Sequence, residues 1–302
     1  MSGPPRLFDR AQHRRRLNRA AKRYAGFLKR RAAEDIVERL EAVRRDFPIA
    51  VDIGARDGAF AQALAASDAA AKVGLLVETD LAEAMLAGRS GVRLAADEER
   101  LPFAPQSLDL VVSSLALHWT NDLVGALIQI RQALKPDGLF IGAILGGATL
   151  TELRTALTGA ELDLTGGAGP RVSPFADAYD AAGLLQRAGF ALPVTDVDRV
   201  TVRYDHALAL MADLRAMGET SVLVEGAGRP LTRALVARAA ELYAERFAQT
   251  DGRIPATFEI LTLTGWSPHE SQPQPLRPGS AKARLADALG TTEESAGEKA
   301  GG

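Results

Sequence analysis

The stretch Val51-Asp52-Ile53-Gly54-Ala55-Arg56-Asp57-Gly58-Ala59-Phe60 decides the fold. It joins a short apolar run, Ile49–Ile53, to the start of a helical pattern, and two glycines bracket the junction. In doubly wound α/β proteins this first strand-to-helix turn is where nucleotide-like ligands sit. Gly54 permits a tight turn, and Gly58 lets the following helix begin close to a ligand. A dinucleotide site needs G-x-G-x-x-G, so that the backbone can approach a pyrophosphate at the helix N-terminus. Arg56 and Ala59 stand where the second and third glycines would be, and that pattern fails. Asp52 points the same way, because a carboxylate beneath the turn repels a pyrophosphate and suits a ligand bearing ammonium and sulfonium charges. Electrostatics favours S-adenosylmethionine (SAM).

Outward from this turn, short apolar runs alternate with helix-like segments: Val73–Val77, Val92–Ala95, Leu108–Val112 and Leu139–Leu145. Such runs read as strands buried on both faces, paired in parallel through right-handed crossovers. Pro102 and Pro105 precede the fourth run, and Lys135-Pro136-Asp137-Gly138 makes the turn into the fifth. Beyond Leu145 the rhythm loosens into a Gly/Pro-rich loop (166–174), a helix over Asp177–Ala188 capped by Gly189, and a strand over Val194–Tyr204. Helical stretches at about 205–217 and 230–248 flank a glycine-rich loop near Gly226–Pro230, and Thr257–Thr264 reads as the last strand. The expectation is a doubly wound, Rossmann-like α/β protein with a mostly parallel seven-stranded sheet and a helical insertion (205–248) before the last strand. A basic helical arm is expected over 1–46, the main domain over 47–286, and a tail over 287–302 too polar to form a core and expected to be disordered.

Composition narrows the classes. Hydrophobic residues make up 47% and charged residues 25% of 302 residues, enough for a large core, and the net charge is only −2. The absence of cysteine excludes disulfide frameworks and cysteine-based zinc or iron–sulfur sites. His13, His118, His206 and His269 show no metal-ligand spacing, and no metal site is expected. No apolar run reaches the ~18–20 residues that span a bilayer. The segment Arg6–Arg31 is arginine-rich and acid-poor like an organellar transit peptide, but it is also serine-poor and is assigned to the mature protein. One reading of this arm is that it steers an acidic partner or nucleic acid; the favoured one is a solvated helix lining the ligand mouth, with Phe8 and Tyr24 facing inward. Without interleaved aromatics for base stacking, no nucleic-acid partner is expected.

Acids recur at successive strand ends. Asp80, followed by Leu81, is placed to accept hydrogen bonds from ribose hydroxyls, with Glu78 as its rival. Asp97, with Glu98 beside it, is placed to meet an adenine amino group, and Leu101 or Phe103 to pack near the ring. The fourth strand runs into Ser113-Ser114-Leu115-Ala116-Leu117-His118-Trp119, where Ser114 joins the cofactor-binding set. Here His118 is a candidate general base and Trp119 a candidate wall of the substrate pocket; the alternative is that both simply pack beneath the helix starting near Asn121. Amino-group methyltransferases often carry Asp/Asn-Pro-Pro-aromatic at this place, so methylation of an exocyclic amine is disfavoured. Asp122 reads as a first-turn acid favoured by the helix dipole.

Asp52-x-Gly54-x-x-x-Gly58, Asp80, Asp97 followed by Leu101-Pro102-Phe103, and Leu134–Gly138 together resemble the class I SAM-dependent methyltransferases. More narrowly, Phe8-Asp9-Arg10, Leu94–Glu99, Leu108–Trp119, Asn121-Asp122-Leu123, Gly146–Arg154 and Ser173-Pro174-Phe175 resemble the methyltransferase-like complex I assembly factors of mitochondria and their bacterial relatives. Met217-Gly218-Glu219, Pro255-Ala256-Thr257 and His269-Glu270-Ser271-Gln272 extend that likeness, and the malonyl-carrier-protein methyltransferases of biotin synthesis share its earlier motifs. The resemblance implies SAM as cofactor and a protein substrate connected with complex I assembly. It also implies two alternatives, hydroxylation of an arginine on a complex I subunit and a non-catalytic assembly role with a degenerate SAM site. No 2-His-1-carboxylate pattern for iron is visible. A cytoplasmic location in a bacterium is implied, or else the matrix face of the mitochondrial inner membrane. This chain departs from the family at Arg56, which replaces a glycine of the first loop and is expected to crowd the methionine moiety or clamp its carboxylate.

Overall fold

The computed structural model describes residues 6–225, 230–273 and 290–291. The expected glycine-rich loop at 226–229 and nearly all of the expected tail lie outside the described residues. The chain divides into two compact units after Pro268, and the sheet and the site belong wholly to the first.

Seven strands form one sheet: β1 (Phe47–Ile53), β2 (Val73–Asp80), β3 (Val92–Ala95), β4 (Leu108–Ser114), β5 (Leu134–Leu145), β6 (Ala191–Tyr204) and β7 (Ile254–Trp266). Their order is β3-β2-β1-β4-β5-β7-β6, parallel except that β7 runs antiparallel to both its neighbours. The order reverses between β1 and β4, and at such a switch point the loops leaving the two strands part and open a crevice at the carboxyl edge. Asp52 lies in register with Glu78 on one side and Val112 on the other, so it sits in the centre of this edge.

The helices are α1 (Arg10–Ala20), α2 (Phe27–Ala42), α3 (Ala59–Ala65), α4 (Glu83–Leu86), α5 (Leu123–Ala133), α6 (Thr151–Thr165), α7 (Ala178–Arg187), α8 (Ala207–Ala216) and α9 (Arg233–Phe247). As expected, α8 and α9 are inserted between the sixth strand and the last. On one face of the sheet Ile36, Leu40, Phe60, Leu157 and Tyr243 pack from α2, α3, α6 and α9; on the other Leu127, Ile130 and Leu185 pack from α5 and α7. Each such buried aliphatic side chain contributes roughly 1.5–3 kcal/mol, which is why the central strands are apolar on both faces.

Three local readings need correction. β3 is exposed along its whole length and Gly74 and Leu75 of β2 are exposed, because β3 is an edge strand beside which α4 makes only four residues of helix. The Lys135–Gly138 segment lies within β5 as an irregularity rather than before it, with Asp137 at φ 63° and a register shift opposite Leu108 and Leu110. The arm is solvated along one face only: Arg14, Arg15 and Arg19 of α1 are exposed and Phe8 is buried as expected, but His13, Leu17 and Ala20 are buried too. Asp9 caps α1 by accepting from the Gln12 amide at 2.8 Å, and the chain on either side of it pairs with 222–224 through Asp9 N–Val222 O and Val224 N–Leu7 O, each 2.9 Å.

Candidate functional site

Both glycines of the first loop answer to neighbours. Gly54 has φ +72°, and a Cβ there would stand 2.2 Å from the Ala116 Cβ beyond β4. Gly58 has φ +79° at the start of α3, and a Cβ would meet the Arg89 guanidinium at 2.7 Å. Lys29, reaching in from α2, fastens this turn to the end of β4 by donating to the carbonyls of Gly54 (2.7 Å) and Ser114 (2.6 Å). Burial pushes its ammonium down to about 8, against the opposing charge of Asp52. Asp52 itself is fully buried with neither carboxylate oxygen hydrogen-bonded. Burial raises it to about 6, while the charges of Lys29 and Arg89 work in the other direction.

The remaining acids are gathered as the sequence suggested, but each carries a guanidinium of the chain itself. Arg56 is completely buried, and its Nη1 lies 2.8 Å from Asp80 Oδ2, to which the Arg56 amide also donates at 2.9 Å. Burial disfavours that charge; Asp80, Tyr24 and Glu98 together outweigh it and raise Arg56 above its ordinary value. The other oxygen of Asp80 accepts from the Ala82 amide at 2.8 Å, which fixes Asp80 next to buried Leu81. Arg10, from the start of α1, donates to Asp97 at 2.7 Å and also pairs with the buried Glu98. Arg89 pairs with Glu78. Arg56 was expected to crowd or clamp a methionine moiety; its side chain instead turns toward Asp80, which compensates the buried cation.

At the end of β4, His118 and Trp119 form a 3-10 turn with Leu117, and both are buried. Neither merely packs beneath α5. Trp119 Nε1 donates to Glu219 Oε2 at 2.9 Å, and His118 Nε2 lies 3.1 Å from the same oxygen. Phe8 is buried edge-on against Trp119 at 5.2 Å, and the His13 ring lies 4.8 Å from the Trp119 ring at a tilt of 31°. Burial, and then the charges of Arg56 and Arg10, drive His13 well below its ordinary value. Tyr24 lines an internal cavity with Lys29 and Leu115, and burial raises its phenol far above the usual value. Ser114 contributes its carbonyl to Lys29, while its hydroxyl is buried and unpaired. Asp122 turns out to be the N-cap of α5, accepting from the Gly125 amide at 2.7 Å.

Sequence reading missed Lys29, Arg10, His13 and Glu219. Lys29 falls on the helical face of Ala33, Ile36 and Leu40, all buried, so its periodicity held a usable signal. His13 shares a face with Leu17 and Ala20 in the same way. Arg10 and Glu219 fall in two of the motifs that carry the resemblance, Phe8-Asp9-Arg10 and Met217-Gly218-Glu219, but their roles were not legible, because their partners lie about ninety and one hundred residues away in sequence.

The residues fit a cationic adenosyl ligand in kind. Asp52 offers two orphaned buried oxygens, and Asp80, Asp97 and Glu98 are acceptors for hydroxyl and amino groups. In this conformation the Arg56 and Arg10 guanidiniums take the acceptors of the last three, and the cavity beside Tyr24 and Lys29 measures about 20 Å³, room for one water.

Comparison with known proteins agrees with this geometry. Residues 51–142, from β1 into β5, match the family model described as a methyltransferase domain. The chain is 40% identical over 290 residues to "Arginine-hydroxylase NDUFAF5, mitochondrial" of Danio rerio, covering 93% of this chain and 89% of that protein. The human protein of the same name is 41% identical over 284 residues, with 91% and 81% covered. A malonyl-[acyl-carrier protein] O-methyltransferase of Methylovorus is 36% identical over 284 residues, with 89% and 92% covered. Among solved structures, a candidate methyltransferase of Bacillus halodurans superposes with a TM-score of 0.53 at 15% identity, covering 78% of this chain and 99% of that one, which shows a shared fold. The methyltransferase domain supports SAM as the cofactor. With sheet order, strand-end acids and full-length similarity in agreement, the chain belongs to the methyltransferase-fold family that contains the NDUFAF5 arginine hydroxylases and, at lower identity, the malonyl-carrier-protein methyltransferases.

Proposed function

We propose that this protein is a SAM-binding, methyltransferase-like enzyme that modifies a protein partner and serves the assembly of respiratory complex I. The observation that carries the cofactor half is the gathering of Asp52, Asp80, Asp97 and Glu98 on one sheet edge, with Asp52 left unpaired. Asp52 would face the ligand's ammonium, Asp80 its ribose, and Asp97 with Glu98 its adenine amino group. Gly54 and Gly58 supply the close backbone approach. When bound, SAM supplies an electrophilic methyl group on its sulfonium. At the β4 end His118 is the base candidate, and because Glu219 takes its Nε2, a proton can be accepted only at Nδ1, which is buried without a partner. The partner half rests on the two relatives named as mitochondrial arginine hydroxylases. A cytoplasmic location, with the matrix face of the mitochondrial inner membrane as its alternative, belongs to the same reading; among the described residues no helix is long and apolar enough to cross a membrane.

Calorimetric titration of the folded protein with SAM tests the cofactor half, and absence of binding at millimolar ligand overturns it. Mass spectrometry of complex I subunits from a deletion strain tests the reaction. Loss of one added methyl group supports methyl transfer, loss of one added oxygen supports arginine hydroxylation, and an unchanged subunit set removes both.

A second reading is favoured by one observation, the complete burial of Arg56 in its pair with Asp80. A guanidinium fixed there competes with the ribose of any adenosyl ligand, and the protein then acts as a non-catalytic assembly factor. Under that reading Arg56→Gly gains SAM binding that the unsubstituted protein lacks.

A further inference from the structure

A groove of about 740 Å³ runs between α6 and α8. Leu153, Leu157, Met211, Leu214 and Phe175 give it apolar wall, and Arg16, Arg171, Arg215 and Glu219 are charged residues of its lining. Glu219, with Leu150, Phe175 and Leu214, lines both this groove and the small cavity that reaches Lys29 and Leu115 at the strand ends. It therefore stands where the groove meets the cofactor edge.

The position of Glu219 is built. Gly218 before it has φ +77°, and a Cβ there would come within 2.7 Å of Leu17 on α1. The Glu219 amide donates to the Leu214 carbonyl at 2.8 Å, closing the end of α8. Trp119 and His118 both bond to Oε2, so Oε1 has no hydrogen bond among the described residues. No lysine or arginine among the described residues pairs with this carboxylate, whose side chain is 11% exposed. The arginines that line the groove are engaged or exposed: Arg16 holds the carbonyls of Thr220 and Ser221, Arg171 pairs with Glu161, and Arg215 is exposed.

A carboxylate with one open oxygen, set among apolar walls, selects a cation and rejects an anion. Of the two biological cations a guanidinium is the less strongly hydrated and the easier to bring into such walls. A malonyl-like acyl group, which carries a carboxylate, meets repulsion at the same point.

We infer that Glu219 is the substrate-recognition residue of this protein, receiving at Oε1 the guanidinium of an arginine on a polypeptide segment whose apolar neighbours lie in the groove between α6 and α8. This rests on the protein-partner reading above and adds to it the site and the recognising group.

Trp119 donates to Glu219, so its fluorescence reports on the site, and the chain holds only one other tryptophan, Trp266. The test uses the full chain carrying Trp266→Phe and a pentapeptide with one arginine between leucine pairs, compared with the same peptide carrying citrulline, its neutral isostere. The arginine peptide is expected to bind at least about tenfold more tightly than the citrulline peptide, as for loss of a charged hydrogen-bonded pair. Glu219→Gln is expected to erase that preference. Met211→Glu is expected to weaken both peptides while leaving SAM titration unchanged. Equal binding of the two peptides, or a preference that survives Glu219→Gln, overturns the inference. Should Glu219→Gln not fold, the citrulline comparison on the unsubstituted groove decides alone. SAM is titrated into the same samples: failure of SAM with arginine preference intact removes the cofactor reading and leaves this one standing, and the converse removes this one.

Discussion

The guanidinium of Arg56 lies 2.8 Å from the carboxylate of Asp80, with both side chains fully buried. Arg56 also holds φ 51°, a left-handed conformation that costs a non-glycine residue about 1–2 kcal/mol. Breaking a buried pair by removing one partner costs about 3–5 kcal/mol, more than the backbone relief returns. Arg56→Gly should therefore lower the stability of the ligand-free protein by about 2 kcal/mol. The same change should strengthen SAM binding at least about tenfold, because Asp80 no longer has to shed a guanidinium. Denaturant unfolding and calorimetry check the two signs; a destabilised variant with unchanged SAM affinity would show that Arg56 does not compete with the cofactor.

Asp52 gives a pH signature. Its folded-state value of about 6 lies above the ordinary 3.8, so folding disfavours its charged form. The unsubstituted protein should lose stability from this group as pH rises from about 4 to about 6, with the full loss present above that window. Asp52→Asn removes the effect. Its advantage over the unsubstituted protein should grow through that window to about 2–3 kcal/mol and then level off. Denaturation midpoints at several pH values measure it, and a pH-independent difference would argue against a buried, unpaired carboxylate.

Gly54 meets two demands at once, a positive φ and contact with Ala116. Gly54→Ala should cost about 2–4 kcal/mol, the backbone term of about 1–2 plus overpacking of similar size. Adding Ala116→Gly should recover the packing part and leave the backbone part. A double-mutant cycle separates them, and full additivity of the two changes would deny the contact.

Arg10 ties α1 to Asp97 and Glu98. Arg10→Ala leaves Glu98 buried without its partner and should destabilise the protein by about 2–3 kcal/mol, toward the lower end for a broken pair because Asp97 is partly exposed. The arm should loosen, so that limited trypsin digestion at Arg14, Arg15 and Arg16 accelerates severalfold. An unchanged digestion rate would mean that Phe8 and Leu17 hold the arm without Arg10.

How far the fold was legible is clearest at the strand ends. The run Val92–Ala95 was read with its final boundaries, and β1, β2 and β4 were each recognised within a few residues. Period and punctuation are local properties, and they suffice to place Asp52, Asp80 and Asp97 on successive parallel strands that must then share an edge. The exposure of β3 was not legible, because an edge position depends on what the rest of the sheet leaves uncovered. Nor was the place of Lys135–Gly138 within β5, where Leu134 already pairs with Leu108 and where Asp137 and Gly138 bond to Ser267, just beyond β7.

Sequence alone thus determined the doubly wound sheet, the two glycines of the first loop and the acids at its edge, since each follows from short-range pattern and from where such a fold ends its strands. Tertiary structure decided which cations answer those acids. Arg56 and Asp80 are twenty-four residues apart, Arg10 and Glu98 eighty-eight, and Trp119 and Glu219 one hundred. A buried charge takes the compensation that packing brings within reach, and no periodicity along the chain encodes which partner that is.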